Sequence, residues 1–122
     1  MTPQYAVLNA ERGVPLATQV RVAGTSAERR RGLAGIEKLE EGAGLWITPC
    51  EAIHTFGMKM PIDVLFLDTD LRVRKAIENL PPARISVCLA ASSVLELEPG
   101  AITRSHTRPG DRLEFEPATI PV

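Results

Sequence analysis

The chain has 122 residues, a formal net charge of −1 and 24% charged residues. This length suits one domain with one core, and the near-neutral charge provides no positive field that would attract nucleic acid or an anionic membrane. Because aromatic residues make up only 4% of the chain, the core must be built mainly from aliphatic side chains.

The amino-terminal segment predicts a β-hairpin. Residues 4–9 form a short apolar run, a turn follows at 9–13, and alternate positions from 14 to 22 are Val, Leu or Thr. No run of seven apolar residues follows a basic start, and no stretch approaches the length of a membrane span. We therefore expect a cytoplasmic protein with no membrane partner.

A short helix is predicted over residues 26–33. Thr25 followed by Glu28 is typical of a capping box, and the glycines that follow can end the helix. Three consecutive arginines point in different directions around such a helix. We expect Arg29 and Arg30 on a solvated face, whereas Arg31 is a candidate for a buried or functional role.

The stretch from 48 to 68 contains most of the reactive side chains. Its opening order, Thr-Pro-Cys-Glu, predicts a helical turn over residues 49–53. Residues four apart have Cβ atoms about 6 Å apart on a helix and about 13 Å apart on a strand, so Cys50 and His54 would be neighbours. The helix dipole would lower the pKa of the Cys50 thiol. Alternatively, Cys50 is a small buried residue and His54 a hydrogen-bonded structural one.

A central strand is predicted over residues 62–67, because apolar side chains occupy both of its faces. Asp63 within this strand is costly to bury unless it meets a cation or several hydrogen-bond donors. Arg31 is the first choice of partner, followed by Lys59 and Arg84. Alternatively, Asp63 lies at the solvent end of the strand and needs no partner.

The remaining sequence predicts short strands joined by turns. These are a strand near 73–77 that completes a second hairpin, a break at two prolines, a strand within 92–98, a turn at Pro99 and Gly100, a basic solvated loop over 101–110, a last strand from 113 and a loosely held tail from 117. Cys88 is predicted to be a buried structural thiol, and its spacing from Cys50 matches no zinc motif.

This pattern of short strands with few helices predicts a mainly β fold, as an antiparallel sandwich or partly closed barrel with one or two short helices. We expect residues 1–122 to form a single β-rich domain. Long helices that would connect the strands of a parallel α/β sheet do not occur in the pattern.

Four motifs carry a family resemblance: RGLAG at 31–35, GLWITPCEAIHTFGMKMPIDVLFLD at 44–68, VLELEPG at 94–100 and PGD at 109–111. Together they resemble the uncharacterised DUF192 family, also called UPF0127, over about residues 15–116. The resemblance implies a compact β-rich domain and brings no established activity. Its recurrent polar and sulphur positions fall on Arg31, Cys50, His54, Met58 and Asp63.

Three functions fit these residues. The first is non-enzymatic binding of a small molecule or protein partner through the Cys50–Asp63 segment and Arg31, since no complete catalytic set is recognisable. The second is thiol chemistry, with Cys50 as nucleophile and His54 as its base. The third is a soft-metal site for Cu(I) built from Cys50, His54 and Met58. The motifs specify neither a cofactor nor an oligomeric state.

Overall fold

The computed structural model of the chain describes residues 4–118, which contain nine strands and two short helices. In chain order these are β1 (Gln4–Asn9), β2 (Val14–Ala23), α1 (Ser26–Arg31), β3 (Ala43–Ile47), β4 (Ala52–His54), β5 (Ile62–Leu67), β6 (Val73–Leu80), β7 (Ile85–Val87), β8 (Ser93–Leu97), α2 (Ala101–Ser105) and β9 (Leu113–Pro117). Most of the predicted loose tail, residues 119–122, lies outside the described residues. Neither helix in this described part is long and apolar enough to cross a membrane.

Seven strands form one sheet in the order β6-β5-β8-β3-β2-β1-β9, and β4 pairs with β7 in a second, two-stranded sheet. The larger sheet curls into a half-barrel, so the predicted mainly β fold is confirmed. Its pairings are antiparallel except for β2 with β3, which α1 connects as a crossover. A bridge between Arg72 and Arg112 links the two ends of the strand order.

Two apolar clusters cover the faces of the large sheet. Because side chains alternate along a strand, Leu95 and Leu97 of β8 belong to one cluster and Val94 belongs to the other. Helix α2 packs on the first cluster and contacts both β2 and β6. Three strands lie between β6 and β2 in the sheet, so α2 crosses its concave face.

Helix α1 begins where the sequence predicts. Thr25 Oγ1 accepts a hydrogen bond from the Glu28 amide at 3.1 Å, and Glu28 Oε1 accepts one from the Thr25 amide at 3.0 Å. The helix ends at Arg31, two residues earlier than predicted, because Gly32 adopts a φ of 52° that cannot continue it.

The predicted helical turn over residues 49–53 is wrong. The Thr48–Pro49 peptide bond is cis, and the following residues form β4, with Ala52 opposite Val87 and His54 opposite Ile85. The backbone hydrogen bonds of β4 go to β7, which is distant in sequence, and sequence periodicity does not reveal such a pairing. Cys88 lies just beyond β7 and is partly exposed, not fully buried as predicted.

The predicted partner of Asp63 is also wrong. Its carboxylate is 0% exposed and accepts hydrogen bonds from the backbone amides of Asn79, Gly100 and Ile102 at 2.9, 3.2 and 2.9 Å. Several donors therefore stabilise the buried charge, and none of the three predicted cations forms an ion pair with it among residues 4–118. Two of the donors belong to the start of α2, which replaces the first half of the loop predicted over 101–110.

Candidate functional site

A groove of about 680 Å³ opens between α1 and the segment that leads into β4. Its lining combines apolar side chains with charged, thiol and imidazole groups from parts of the chain that are distant in sequence. The lining residues are Ser26, Arg29, Arg30, Gly32, Ile47, Pro49, Cys50, Glu51, Ala52, Ile53, His54 and Glu96. Apolar side chains combined with polar groups that can orient a ligand are typical of small-molecule sites.

Two arginines of α1 line the groove: Arg30 is exposed, as predicted, and Arg29 is partly buried. Arg29 Nη1 donates to the Gly24 carbonyl at 2.6 Å and its Nη2 to Ser26 Oγ at 3.5 Å, while Arg30 Nε donates to the Ser26 carbonyl at 3.3 Å. These contacts orient both guanidinium groups without neutralising them. Within the described part of the chain, neither arginine forms an ion pair with a carboxylate.

Cys50 lines the same groove. Its Sγ donates to the Ala52 carbonyl at 3.0 Å. Burial raises the pKa of the thiol, and the Glu96 carboxyl adds to this effect while Arg29 opposes it. The predicted lowering of this pKa by a helix dipole is therefore wrong, since Cys50 precedes a strand and not a helix.

His54 contributes to the same groove but contacts a different partner. Its Nε2 lies 3.2 Å from the carbonyl oxygen of Arg30. A carbonyl can only accept, so Nε2 carries the hydrogen in this contact. Among the described residues no hydrogen bond joins His54 to Cys50. The imidazole thus links β4 to α1.

The other three predicted site residues lie elsewhere. Arg31 is exposed and lines a separate groove of about 320 Å³ with Arg21 and Glu28. Met58 is buried in the second apolar cluster and does not line the Cys50 groove, and Asp63 holds α2 on the other face of the sheet. Of the five predicted residues, only Cys50 and His54 come together.

Glu96 is the functional candidate that the sequence reasoning missed. It lies on β8 between Leu45 of β3 and Val64 of β5, is 1% exposed, and still lines the groove. Its Oε1 is buried and has no hydrogen-bond partner within residues 4–118. Burial raises the pKa of this carboxyl to about 8. An acid inside the apolar run VLEL was the available signal, by the same reasoning that singled out Asp63.

The arrangement offers hydrogen-bonding and ionic groups, without a recognisable metal centre. No cluster of three or more His, Cys, Asp or Glu side chains that could hold a metal ion occurs in the described residues. With Met58 away from the groove lining, Cys50 and His54 alone would remain as soft ligands.

Comparisons with known proteins place this fold among related structures. The model of the DUF192 family, described as an uncharacterised ACR, matches residues 7–115. A crystal structure from Sinorhizobium meliloti, described as a proposed transcription regulator, is 25% identical with a TM-score of 0.82, over 94% of each chain. A protein of unknown function from Novosphingobium aromaticivorans is 24% identical with a TM-score of 0.78, over 92% of this chain and 83% of that one. No curated protein matches.

Proposed function

The chain belongs to the DUF192 family, and from this premise we propose that it binds a small organic molecule in the Cys50 groove. The observation that carries the proposal is the unpartnered carboxyl of Glu96 at the base of the groove. Burying a polar oxygen without a hydrogen bond costs roughly 1–3 kcal/mol. A ligand that supplies this bond would recover that cost on binding.

The shape and composition of the groove support a small molecule. Its volume of about 680 Å³ lies within the range of small-molecule sites. Ile47 and Ile53 are buried side chains that offer apolar contact, while Arg29 and Arg30 offer unneutralised charge at the wall. Such a site gives affinity through apolar contact and orientation through a few polar groups.

Binding is favoured over thiol catalysis by the state of Cys50. A nucleophilic cysteine needs a lowered pKa or an adjacent base. Burial raises the pKa of Cys50, and the imidazole of His54 is engaged with the Arg30 carbonyl. A role in transcription, as described for the Sinorhizobium protein, is not proposed because the net charge of −1 gives no overall attraction to DNA.

The test is a thermal-shift screen of a small-metabolite library against the wild-type protein and two variants. Ala52 is exposed and lines the groove, so Ala52→Phe should fill it. Ala27 is exposed on α1 outside the groove lining, so Ala27→Phe is the matched control. A ligand at a hundred times its Kd stabilises the native state by about 2.7 kcal/mol, which is readily seen as a rise in Tm.

We expect compounds that raise the Tm of the wild-type protein and of Ala27→Phe but leave Ala52→Phe unchanged. Glu96→Met should lose the same responses, because it removes the polar group from the base of the groove. The proposal fails if the library gives no wild-type response, or if the responses survive unchanged in both Ala52→Phe and Glu96→Met.

A further inference from the structure

The charges around the groove indicate which chemical class of ligand it takes. From the placement of Arg29, Arg30 and Glu96 we infer that the ligand is a small zwitterion, with an anionic group for the arginines and an amino group for the glutamate. The inference rests on the proposed function and adds the ligand class to it. Three features support it: the two arginines of α1, the buried carboxyl of Glu96 and the apolar side chains of the groove lining.

The first feature is the guanidinium pair of α1. Both side chains are held by backbone carbonyls of Gly24 and Ser26, and neither meets a carboxylate within the chain as described. The planar guanidinium presents donors that match a carboxylate in two parallel hydrogen bonds. An anionic group of the ligand would form ion pairs with these guanidinium groups, whereas a purely cationic ligand would be repelled by them.

The second feature is the carboxyl of Glu96. The charged and titratable groups that line the groove with it are Arg29 and Arg30 from α1, Cys50 and Glu51 from the segment before β4, and His54 from β4. None of them lies within ion-pair or hydrogen-bond distance of Oε1 among the described residues. A purely anionic ligand would bring no hydrogen-bond donor to Oε1, whereas an ammonium group would donate to it and favour the carboxylate form of Glu96.

The apolar part of the groove lining suits a short hydrocarbon chain. Ile47, Ile53 and Pro49 line the groove with no polar side-chain atoms. An anionic group and an ammonium group joined by a few methylenes could contact the arginines, the apolar side chains and the glutamate of this lining. The apolar lining, together with the arginines and Glu96, therefore favours an amino acid with a short carbon chain over a polar sugar or a bare ion.

Binding of such a ligand has a proton signature. Burial raises the pKa of Glu96 to about 8, so at pH 6.5 the carboxyl is protonated. An ammonium group placed against it favours the carboxylate, and the proton of the carboxyl leaves to the buffer while the ammonium keeps its own. Binding at pH 6.5 should release up to one proton per ligand, and binding at pH 9 should release almost none.

The test uses ω-amino acids from glycine to 6-aminohexanoate, with the n-alkyl carboxylates and n-alkylamines of equal length as matched probes. Calorimetric titrations in two buffers of different ionisation enthalpy give both the Kd and the proton count. At one chain length the amino acid should bind at least about tenfold tighter than either matched probe, a difference of about 1.4 kcal/mol.

Variants test the contributions of Glu96 and of the arginines separately. Glu96→Gln should abolish proton release and weaken the best amino acid by about tenfold, since the charge-assisted hydrogen bond is lost. Arg30→Gln should weaken it similarly, while Arg31→Gln on the same helix should not, because Arg31 lines the other groove. Circular dichroism establishes that each variant is folded.

Two results would overturn the inference that the ligand is a zwitterion. One is equal binding of the matched carboxylate or amine, and the other is absence of binding across the amino acid series. Either can occur while library compounds still respond to Ala52→Phe, which would leave the groove as a binding site for another class. Loss of the library responses as well would remove the proposed function itself.

Discussion

At the scale of single residues, two buried carboxyls on adjacent strands have opposite surroundings. Asp63 on β5 accepts three backbone hydrogen bonds, whereas Oε1 of Glu96 on β8 accepts none within the described part of the chain. They face opposite sides of the sheet, since Val64, not Asp63, is the cross-strand partner of Glu96. The satisfied carboxyl is structural, and the unsatisfied one faces the groove.

The raised pKa of Glu96 predicts an unusual dependence of stability on pH. Between the ordinary value of 4.5 and about 8 the folded protein holds a proton that the unfolded chain has lost. The free energy of unfolding therefore falls as pH rises through this window and levels off above it. Relative to Glu96→Gln, which cannot titrate, wild-type stability should fall by about 5 kcal/mol at most.

Urea denaturation at pH 4.5, 6, 7.5 and 9 measures this difference. Glu51→Gln is the matched control, because Glu51 is an exposed glutamate of the same groove. The difference in the free energy of unfolding between Glu51→Gln and the wild-type protein should stay nearly constant over the same pH range. If the wild-type and Glu96→Gln curves run parallel, Glu96 ionises at an ordinary pH and the account of the groove is wrong.

Cys50 provides a second test at this scale, because burial raises the pKa of its thiol. In a Cys88→Ser background, the rate of alkylation should rise with a midpoint above the free-cysteine value of about 8.5. His54→Ala should leave that midpoint in place, since His54 contacts the Arg30 carbonyl. A midpoint below neutral pH that is lost in His54→Ala would instead establish thiol chemistry.

At the scale of elements, the hairpins and α1 could be predicted because their signals are local. The β1–β2 and β5–β6 hairpins follow from alternating side chains around turns, and the capping box of α1 lies within four residues. The pairing of β4 with β7 could not be predicted, because Ala52 and Val87 are far apart in sequence. A helix-start pattern at Thr48 therefore misled the prediction.

Helix α2 shows how a distant side chain can determine a short element. Gly100 is in the left-handed region with a φ of 98° and provides no side-chain cap, so the five-residue helix has no capping signal of its own. The carboxylate of Asp63 accepts from the Gly100 and Ile102 amides instead. Because the carboxylate that bonds the first amides of α2 lies on a strand distant in sequence, the residues around α2 carry no local pattern that predicts the helix.

Asp63→Asn should therefore destabilise the protein and loosen α2. The amide retains one acceptor oxygen, and its NH₂ group would face a backbone donor. We expect a loss of about 1–3 kcal/mol in urea denaturation and faster hydrogen exchange at the Ile102 amide. Asp70→Asn, in the exposed β5–β6 turn, should change neither quantity, and an equal effect of the two substitutions would contradict this role.

At the scale of the whole molecule, the groove exists only because the curled sheet brings together distant parts of the chain. Arg29, Cys50 and Glu96 come from α1, the segment before β4, and β8. Sequence reasoning found Cys50 and His54 because they lie close together in one motif. It selected Arg31 over Arg29 and Arg30 and passed over Glu96, since which residues share a groove depends on the topology of the sheet.

The curl of the sheet is held where β6 and β9 begin. The Val73 amide donates to the Asp111 carbonyl at 2.9 Å, the Gly110 amide to the Val73 carbonyl at 2.7 Å, and the Leu113 amide to the Leu71 carbonyl at 2.9 Å. These bonds join strands at opposite ends of the sheet order. Any change that loosens residues 108–113 should therefore weaken the whole half-barrel and not only its edge.

The Asp111 side chain fixes this junction through a buried network. Its Oδ2 accepts from Asn9 Nδ2 at 3.1 Å, from Arg12 Nε at 2.8 Å and from the Arg108 amide at 3.0 Å. Burial opposes ionisation of the carboxyl, but these donors outweigh it and hold the pKa of Asp111 below its usual value. A lowered pKa contributes stability that is present above the ordinary value of about 3.8 and is lost as pH falls through the folded value.

Asp111→Asn should lower the free energy of unfolding at pH 7 by about 2 kcal/mol, because the charge-assisted bonds to Asn9 and Arg12 are lost. The deficit should shrink as pH falls below the ordinary value of about 3.8, because the unfolded chain then takes up a proton at this position before the folded protein does. Urea denaturation from pH 7 down to pH 3 follows both effects.

Glu114→Gln is the matched control, because Glu114 is a partly buried acid on β9 that pairs with Arg112. It should lower the free energy of unfolding by less than about 1 kcal/mol. A deficit for Asp111→Asn that stays constant down to pH 3 would mean that the network contributes through packing alone and that the charge of Asp111 does not hold the half-barrel closed.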